Sequence, residues 1–79
     1  MKLPRDLSGE QLIRTLCREW GYRRAGQVGS QVVLETDTPS HQCLVVPAHK
    51  NLRVGTLSAI LRSVASHKSV TREDILKAL

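Results

Sequence analysis

Apolar residues near the start of the chain recur at helical spacing. One face collects Leu12, Ile13, Leu16, Cys17 and Trp20. Ser8 and Gln11, three positions apart, form a capping-box pattern at the start of this helix. Gly21 is a natural stop after its last turn. On the polar face, Glu10 precedes Arg14 by one turn, the favourable order for an ion pair, and Arg18 follows.

The next third of the chain changes to short β-rich runs separated by turn residues. We predict strands over residues 22–27, 31–36 and 41–46, with connections at 28–30 and 37–40 and an end at Pro47. Three short strands with tight connections form an antiparallel meander. If Val32 and Leu34 point into the core, then Gln31, Val33 and Glu35 point away from it.

Helical spacing returns in the last part of the chain. A second helix carries Leu57, Ile60, Leu61, Val64 and Ala65, with Thr56 as its predicted cap and a break at residues 66–69. Thr71 and Asp74 form a capping pattern at the start of a short last helix. Val70, just before the cap, is placed to pack on Ile75 as a hydrophobic staple. The predicted fold is α+β, with the order α-β-β-β-α and a short C-terminal helix. Its three-stranded antiparallel sheet has helices on one face, and residues 1–79 form a single domain.

Charge narrows the range of partners. The chain of 79 residues has a formal net charge of +5. Between Thr38 and Arg72 there is no Asp or Glu, whereas Lys50, Arg53, Arg62, Lys68, Arg72 and all three histidines fall there. Such a stretch favours a polyanionic partner, and a solvated basic surface explains it equally well. Trp20 and Tyr22 are the only aromatic residues, which argues against a single-strand binder built on stacked rings.

Cysteine usage and the N-terminal residues indicate the compartment. Cys17 and Cys43 match no metal-ligand spacing, and we expect two buried free thiols, as in a reducing cytoplasm. Residues 1–6 lack the apolar stretch of a signal peptide, and no segment approaches the roughly 20 apolar residues that cross a bilayer. We therefore expect a cytoplasmic protein with no membrane partner. No histidine has a Cys, Asp or Glu arrangement typical of a metal site or triad, so no metal or cofactor is expected.

Several short motifs follow one another in a recognisable order. They are Leu12-Ile13 leading to Trp20-Gly21-Tyr22, then Gly29-Ser30-Gln31, then Val46-Pro47-Ala48-His49, then Leu52-Arg53-Val54-Gly55-Thr56-Leu57 leading to Ile60-Leu61. In this order and spacing the chain resembles the HicA-type toxins, the HicA/YcfA-like mRNA interferases. The resemblance implies a fold similar to a double-stranded-RNA-binding domain. It also implies cleavage of messenger RNA and inhibition by a HicB-type antitoxin.

The main departure from the family pattern is Gln31, which stands where the family has its catalytic histidine. Histidine suits acid–base chemistry at an attacking 2′-hydroxyl because it accepts and releases a proton near neutral pH. A glutamine amide does not titrate, and losing a general acid–base group typically costs about 10²- to 10⁴-fold in rate. The resemblance thus implies an impaired enzyme. An introduced inactivating substitution and a natural relic that kept binding are both open explanations.

From the resemblance and the basic residues together, we expect RNA contacts from Arg23, Arg24, Gly29, Ser30, His49, Lys50, Arg53 and Thr56. Independently, the cations before Thr56 lie near free N–H groups at a helix start, an arrangement that binds phosphate. A routine cap after a solvated loop explains the same pattern equally well. His49 has three candidate partners, namely RNA, the antitoxin and the chain's own backbone. Gly26 stands where the family often has a basic residue, which weakens or shifts part of the contact.

Two other functions compete with the toxin. A non-catalytic RNA-binding domain fits the same basic stretch and element order. A helix-turn-helix DNA reader over residues 56–79 is disfavoured, because Glu73 and Asp74 at the start of its recognition helix would repel phosphates. His41 is a possible neighbour of Gln31 across the sheet, and His67 is expected in solvent between two helices.

Overall fold

The computed structural model describes Leu3 and residues 6–79. Its elements are α1 (Gly9–Glu19), β1 (Arg23–Val28), β2 (Gln31–Thr36), β3 (Gln42–Pro47), α2 (Val54–Lys68) and α3 (Arg72–Lys77). This is the predicted α-β-β-β-α order with its terminal helix. Residues 1, 2, 4 and 5, which belong to the stretch expected to lack a signal peptide, lie outside the described residues.

The three strands form one antiparallel sheet in the order β1-β2-β3, which confirms the meander. Gln31 pairs with Pro47 at one end of the sheet, and Glu35 pairs with Cys43 near the other. The register between β1 and β2 shifts between Arg24 and Gly26. A bulge of this kind re-aims the side chains that flank it.

One face of the sheet is buried under the helices and the other is open. Along β2, Val32, Leu34 and Thr36 are buried, while Gln31 is exposed, as strand alternation predicts. The core joins the inward strand residues to the apolar faces of the helices and consists of Leu7, Leu12, Ile13, Leu16, Tyr22, Val32, Leu34, Leu44, Val46, Leu52, Leu57, Ile60, Leu61, Val64 and Ile75. Both α1 and α2 contact β3, so the helices lie on one face of the sheet.

The predicted helix ends are confirmed for α1 and α3. Ser8 and Gln11 exchange the two capping-box hydrogen bonds, at 3.1 and 3.0 Å. Gly21 follows the last turn of α1 with φ +75. At α3 the capping box again forms, between Thr71 and Asp74.

The limits of α2 differ from the prediction. The helix begins at Val54 after Arg53, which is the N-cap and has no side-chain cap bond, so Thr56 as the cap was wrong. Helix also continues through the expected break to Lys68, ending at Ser69 with φ 58. Thr56 therefore lies inside the first turn.

Two further expectations concern the cysteines and the membrane. Both thiols are free, but Cys43 is exposed and Cys17 is only partly buried, so the expected burial was wrong. Cys43 is exposed because it pairs with Glu35 on the open face of the sheet. Among the residues that the structure describes, no helix combines the length and apolar character needed to span a bilayer.

Candidate nucleic-acid interface

The Gly29-Ser30-Gln31 motif forms the β1–β2 turn and the first residue of β2. Gly29 has φ +59, a conformation that favours glycine, and its carbonyl accepts a hydrogen bond from Gln27 Nε2 at 2.9 Å. Gln31 is exposed on the open face. The tight turn thus presents the side chain of Gln31 to solvent at one corner of the sheet.

The loop after β3 meets this corner. The Ala48 N–H donates to the Ser30 carbonyl at 2.6 Å, extending the pairing of Gln31 with Pro47. Ser30 Oγ lies 3.3 Å from His49 Nε2. Ser30, Gln31 and His49, which are separated in sequence, are therefore neighbours in the fold.

Backbone contacts with the start of α1 hold the His49 loop in place. The Gly9 N–H donates to the His49 carbonyl at 2.8 Å, and the Leu52 N–H donates to the Leu7 carbonyl at 2.8 Å. A Cβ on Gly9 would come within 1.8 Å of the Pro47 carbonyl oxygen, so α1 begins directly against the end of β3. The backbone of His49 is fixed while its ring is exposed.

Lys50 and Arg53 follow His49 on the same loop. Both are exposed, and within the described residues neither forms an ion pair. Arg53 is the N-cap of α2, whose first turn contains no acidic residue. Free cationic side chains thus lie beside the N–H groups of a helix start, an arrangement that attracts anions.

Arg23 and Arg24, in contrast, are engaged in ion pairs away from this corner. Arg23 bonds Glu35 at 3.0 Å and Asp37 at 2.8 Å, and those bonds raise the pKa of its guanidinium. Arg24 bonds Glu10 of α1 at 2.6 Å. Arg23 pairs with Glu35, four residues along β2 from Gln31, which is about 13 Å in a strand.

The Arg24 contact also replaces the predicted Glu10–Arg14 pair. Since Glu10 faces β1, its carboxylate bonds the strand rather than the next turn of its own helix. A shallow groove beside α1 is lined by Arg14, Arg18 and Arg24 together with Glu10. Because Arg24 bonds Glu10 and Arg18 bonds Glu19 at 2.9 Å, Arg14 is the one arginine lining this groove that forms no ion pair with a described residue.

The remaining histidines are remote from Gln31. His41 precedes β3 at the opposite end of the sheet, which excludes it as a cross-strand neighbour of Gln31. His67 belongs to α2, is half-buried, and its Nε2 lies 2.8 Å from the Ser40 carbonyl oxygen. The expectation of His67 in solvent was wrong because α2 is longer than predicted.

A second cluster of polar side chains was missed by the sequence reasoning. Glu35, His41 and Cys43 bring one ligand-type atom each within 4.8 Å of one another, so the expectation that no histidine has such neighbours was wrong. Partial desolvation by the neighbouring side chains and, next, the hydrogen bond to Glu35 raise the pKa of the Cys43 thiol. Hydrogen bonds from His41 and Arg23 lower the pKa of Asp37. The available signal was the turn at Pro39, since counting outward from it pairs Glu35 with Cys43.

Comparison with known proteins does not assign the chain to a family. No protein-family model matches the chain, and searches of curated proteins and of solved structures find no match.

Proposed function

We propose that this chain is an RNA-cleaving toxin of the HicA type, impaired by Gln31 at the position of the acid–base residue. The fold order and the motifs at one corner of the sheet support the proposal together. The observation that carries it is the position of Gln31, exposed beside the 3.3 Å contact of Ser30 Oγ with His49 Nε2. A histidine at position 31 would stand on an open face with a hydroxyl and an imidazole next to it.

The chemistry expected of this corner is attack of a ribose 2′-hydroxyl on the adjacent phosphorus. The base removes the 2′-hydroxyl proton and an O–P bond forms. The bond from phosphorus to the 5′ oxygen breaks, and that oxygen takes a proton from water, which leaves a cyclic phosphate and a 5′-hydroxyl. Histidine performs the proton removal near neutral pH. The Gln31 amide donates and accepts hydrogen bonds but takes up no proton, so it positions RNA without cleaving it efficiently.

Lys50 and Arg53 are the residues best suited to hold the RNA backbone. They are exposed cations next to the start of α2, and phosphate contacts of this kind provide most of the affinity of nucleic-acid binding. Arg24 and Arg23 require a different role, because RNA would have to displace Glu10 from the one and Glu35 and Asp37 from the other. We assign phosphate binding chiefly to the loop after β3.

A HicB-type antitoxin is the protein partner that this proposal implies. The open face of the sheet carries two exposed valines, Val28 at 76% and Val45 at 48%. Val28 pairs with Gln31 across the β1–β2 turn. An antitoxin that buries these valines would also cover Gln31 and exclude RNA from it.

The test compares RNA cleavage by the chain as written with cleavage by Gln31→His, using a defined messenger RNA and a metal chelator. Gln27→His is the matched control, since Gln27 is also exposed beside the same turn but pairs with the inward residue Val32. We expect cleavage to rise about 10²-fold or more only in Gln31→His. Cleavage by neither variant, with salt-dependent RNA binding by both, would instead support the non-catalytic RNA-binding domain.

A further inference from the structure

The cluster at the other end of the sheet is built from residues of β2, of β3 and of the turn that joins them. Glu35 on β2 pairs with Cys43 on β3, and His41 lies two residues before Cys43. Cys43 Sγ is 3.6 Å from Glu35 Oε2 and 3.7 Å from His41 Nε2. We infer that Glu35, His41 and Cys43 form a zinc-binding site, with a fourth position open to water.

The distances fit the coordination of zinc. A zinc ion about 2.3 Å from a thiolate and about 2.0 Å from nitrogen or oxygen sets sulfur about 3.5 Å from each of the other ligands in a tetrahedron. The two distances from Cys43 Sγ already match this value. The ligand atoms of Glu35 and His41 lie within 4.8 Å of each other. In a tetrahedral zinc site they would be about 3.3 Å apart, so zinc binding requires these two side chains to approach each other.

Neighbouring side chains orient each ligand. Asp37 Oδ1 lies 3.2 Å from His41 Nδ1, which leaves Nε2 directed at the thiol. A carboxylate on the far nitrogen of a zinc-bound histidine is a common outer-shell partner because it fixes the ring and its tautomer. Arg23 bonds Oε1 of Glu35, so Oε2 remains free to face Cys43.

Charge and ligand type select the metal. A thiolate at Cys43 and the carboxylates of Glu35 and Asp37 make three negative charges, which Arg23 and a dication together neutralise. Thiolate with imidazole favours zinc over magnesium or calcium, which prefer oxygen ligands. On binding, the Cys43 sulfur exchanges its proton for the metal, and the proton passes to water.

The site is independent of the proposed RNA chemistry. Glu35 is four residues from Gln31 along β2, about 13 Å away, so zinc at the cluster would not touch the RNA-cleaving corner. Its direct effect is to tie the β2–β3 hairpin together and to couple Arg23 of β1 to it.

The test is a titration of the metal-free chain with Zn²⁺ in a calorimeter, with a non-thiol reductant present, and with Co²⁺ as a visible probe of tetrahedral thiolate coordination. We expect one zinc per chain and a Tm that rises with zinc concentration. Cys43→Ser and His41→Ala should each weaken binding by about 100-fold or more, and Asp37→Asn by about 10- to 100-fold. Cys17→Ser and His67→Ala, which change the same residue types outside the cluster, should bind zinc as the original chain does.

Circular dichroism checks that each variant is folded before its affinity is compared. Lack of zinc binding by the folded original chain would overturn the site. Binding that survives Cys43→Ser, or that Cys17→Ser reduces equally, would overturn it as well.

Discussion

Gly9→Ala is the substitution that most sharply tests how α1 meets the end of β3. Gly9 is the first residue of α1, and an added Cβ would lie 1.8 Å from the Pro47 carbonyl oxygen and 2.9 Å from Ala48 Cα. Both obstacles are backbone atoms, which cannot rotate out of the way. The helix start must therefore move away from the strand by more than about 1 Å to restore ordinary van der Waals contact.

The magnitude follows from three contributions. Overpacking of this kind costs about 1–3 kcal/mol, and the 2.8 Å hydrogen bond from the Gly9 N–H to His49 contributes about 1 kcal/mol. The higher helix propensity of alanine offsets at most about 1 kcal/mol. We expect a net loss of about 1–3 kcal/mol, and at about 4–8 °C per kcal/mol for a domain of this size the Tm falls by about 4–24 °C.

Gly55→Ala is the matched control, because Gly55 also lies in the first turn of a helix and nothing lies within 4 Å of its Cβ position. It should leave stability unchanged or raise it by up to about 1 kcal/mol. Thermal and urea unfolding followed by circular dichroism measure both variants. A Gly9→Ala chain within about 0.5 kcal/mol of the original, or an equal loss in Gly55→Ala, would refute the close approach of α1 to β3.

The other predictions concern two lysines, Lys68 and Lys50, and the single tyrosine. Lys68 donates to the buried Thr36 Oγ1 at 2.8 Å, so Lys68→Ala should lower stability by about 1–3 kcal/mol. Lys50→Ala should instead leave stability unchanged and weaken RNA binding. If the two substitutions had equal effects in unfolding and in binding assays, these separate roles would be contradicted. Burial raises the pKa of Tyr22 to about 12, above tyrosine's ordinary value near 10. The folded state therefore keeps a proton that the unfolded chain loses, and stability is full below about pH 10 and falls by up to about 3 kcal/mol as pH rises toward 12. Tyrosinate absorbance measures this directly, and an ionisation midpoint near 10 in the folded chain would contradict it.

Features set by neighbouring residues were predictable from the sequence. The capping boxes of Ser8 with Gln11 and of Thr71 with Asp74 need only a three-residue spacing. The outward position of Gln31 follows from strand alternation alone. The start of α2 was missed because Arg53 caps it without a side-chain hydrogen bond, which leaves no capping signal in the sequence.

Contacts that depend on register or on helix placement were not predictable in the same way. Glu10 pairs with Arg24 because the fold brings the start of α1 within side-chain reach of β1, which the helix pattern alone does not specify. The Ser30–His49 contact requires Ala48 to extend the ladder beyond Gln31 and Pro47. The resemblance therefore named most residues of the corner that we propose to contact RNA, but not which of them are neighbours.

The most direct test of the central claim is the single-turnover cleavage rate of Gln31→His divided by that of the chain as written, on the same RNA at the same pH. We predict a ratio of about 10² to 10⁴, with cyclic phosphate and 5′-hydroxyl ends on the products. A ratio near one would contradict the assignment of Gln31 to the acid–base position.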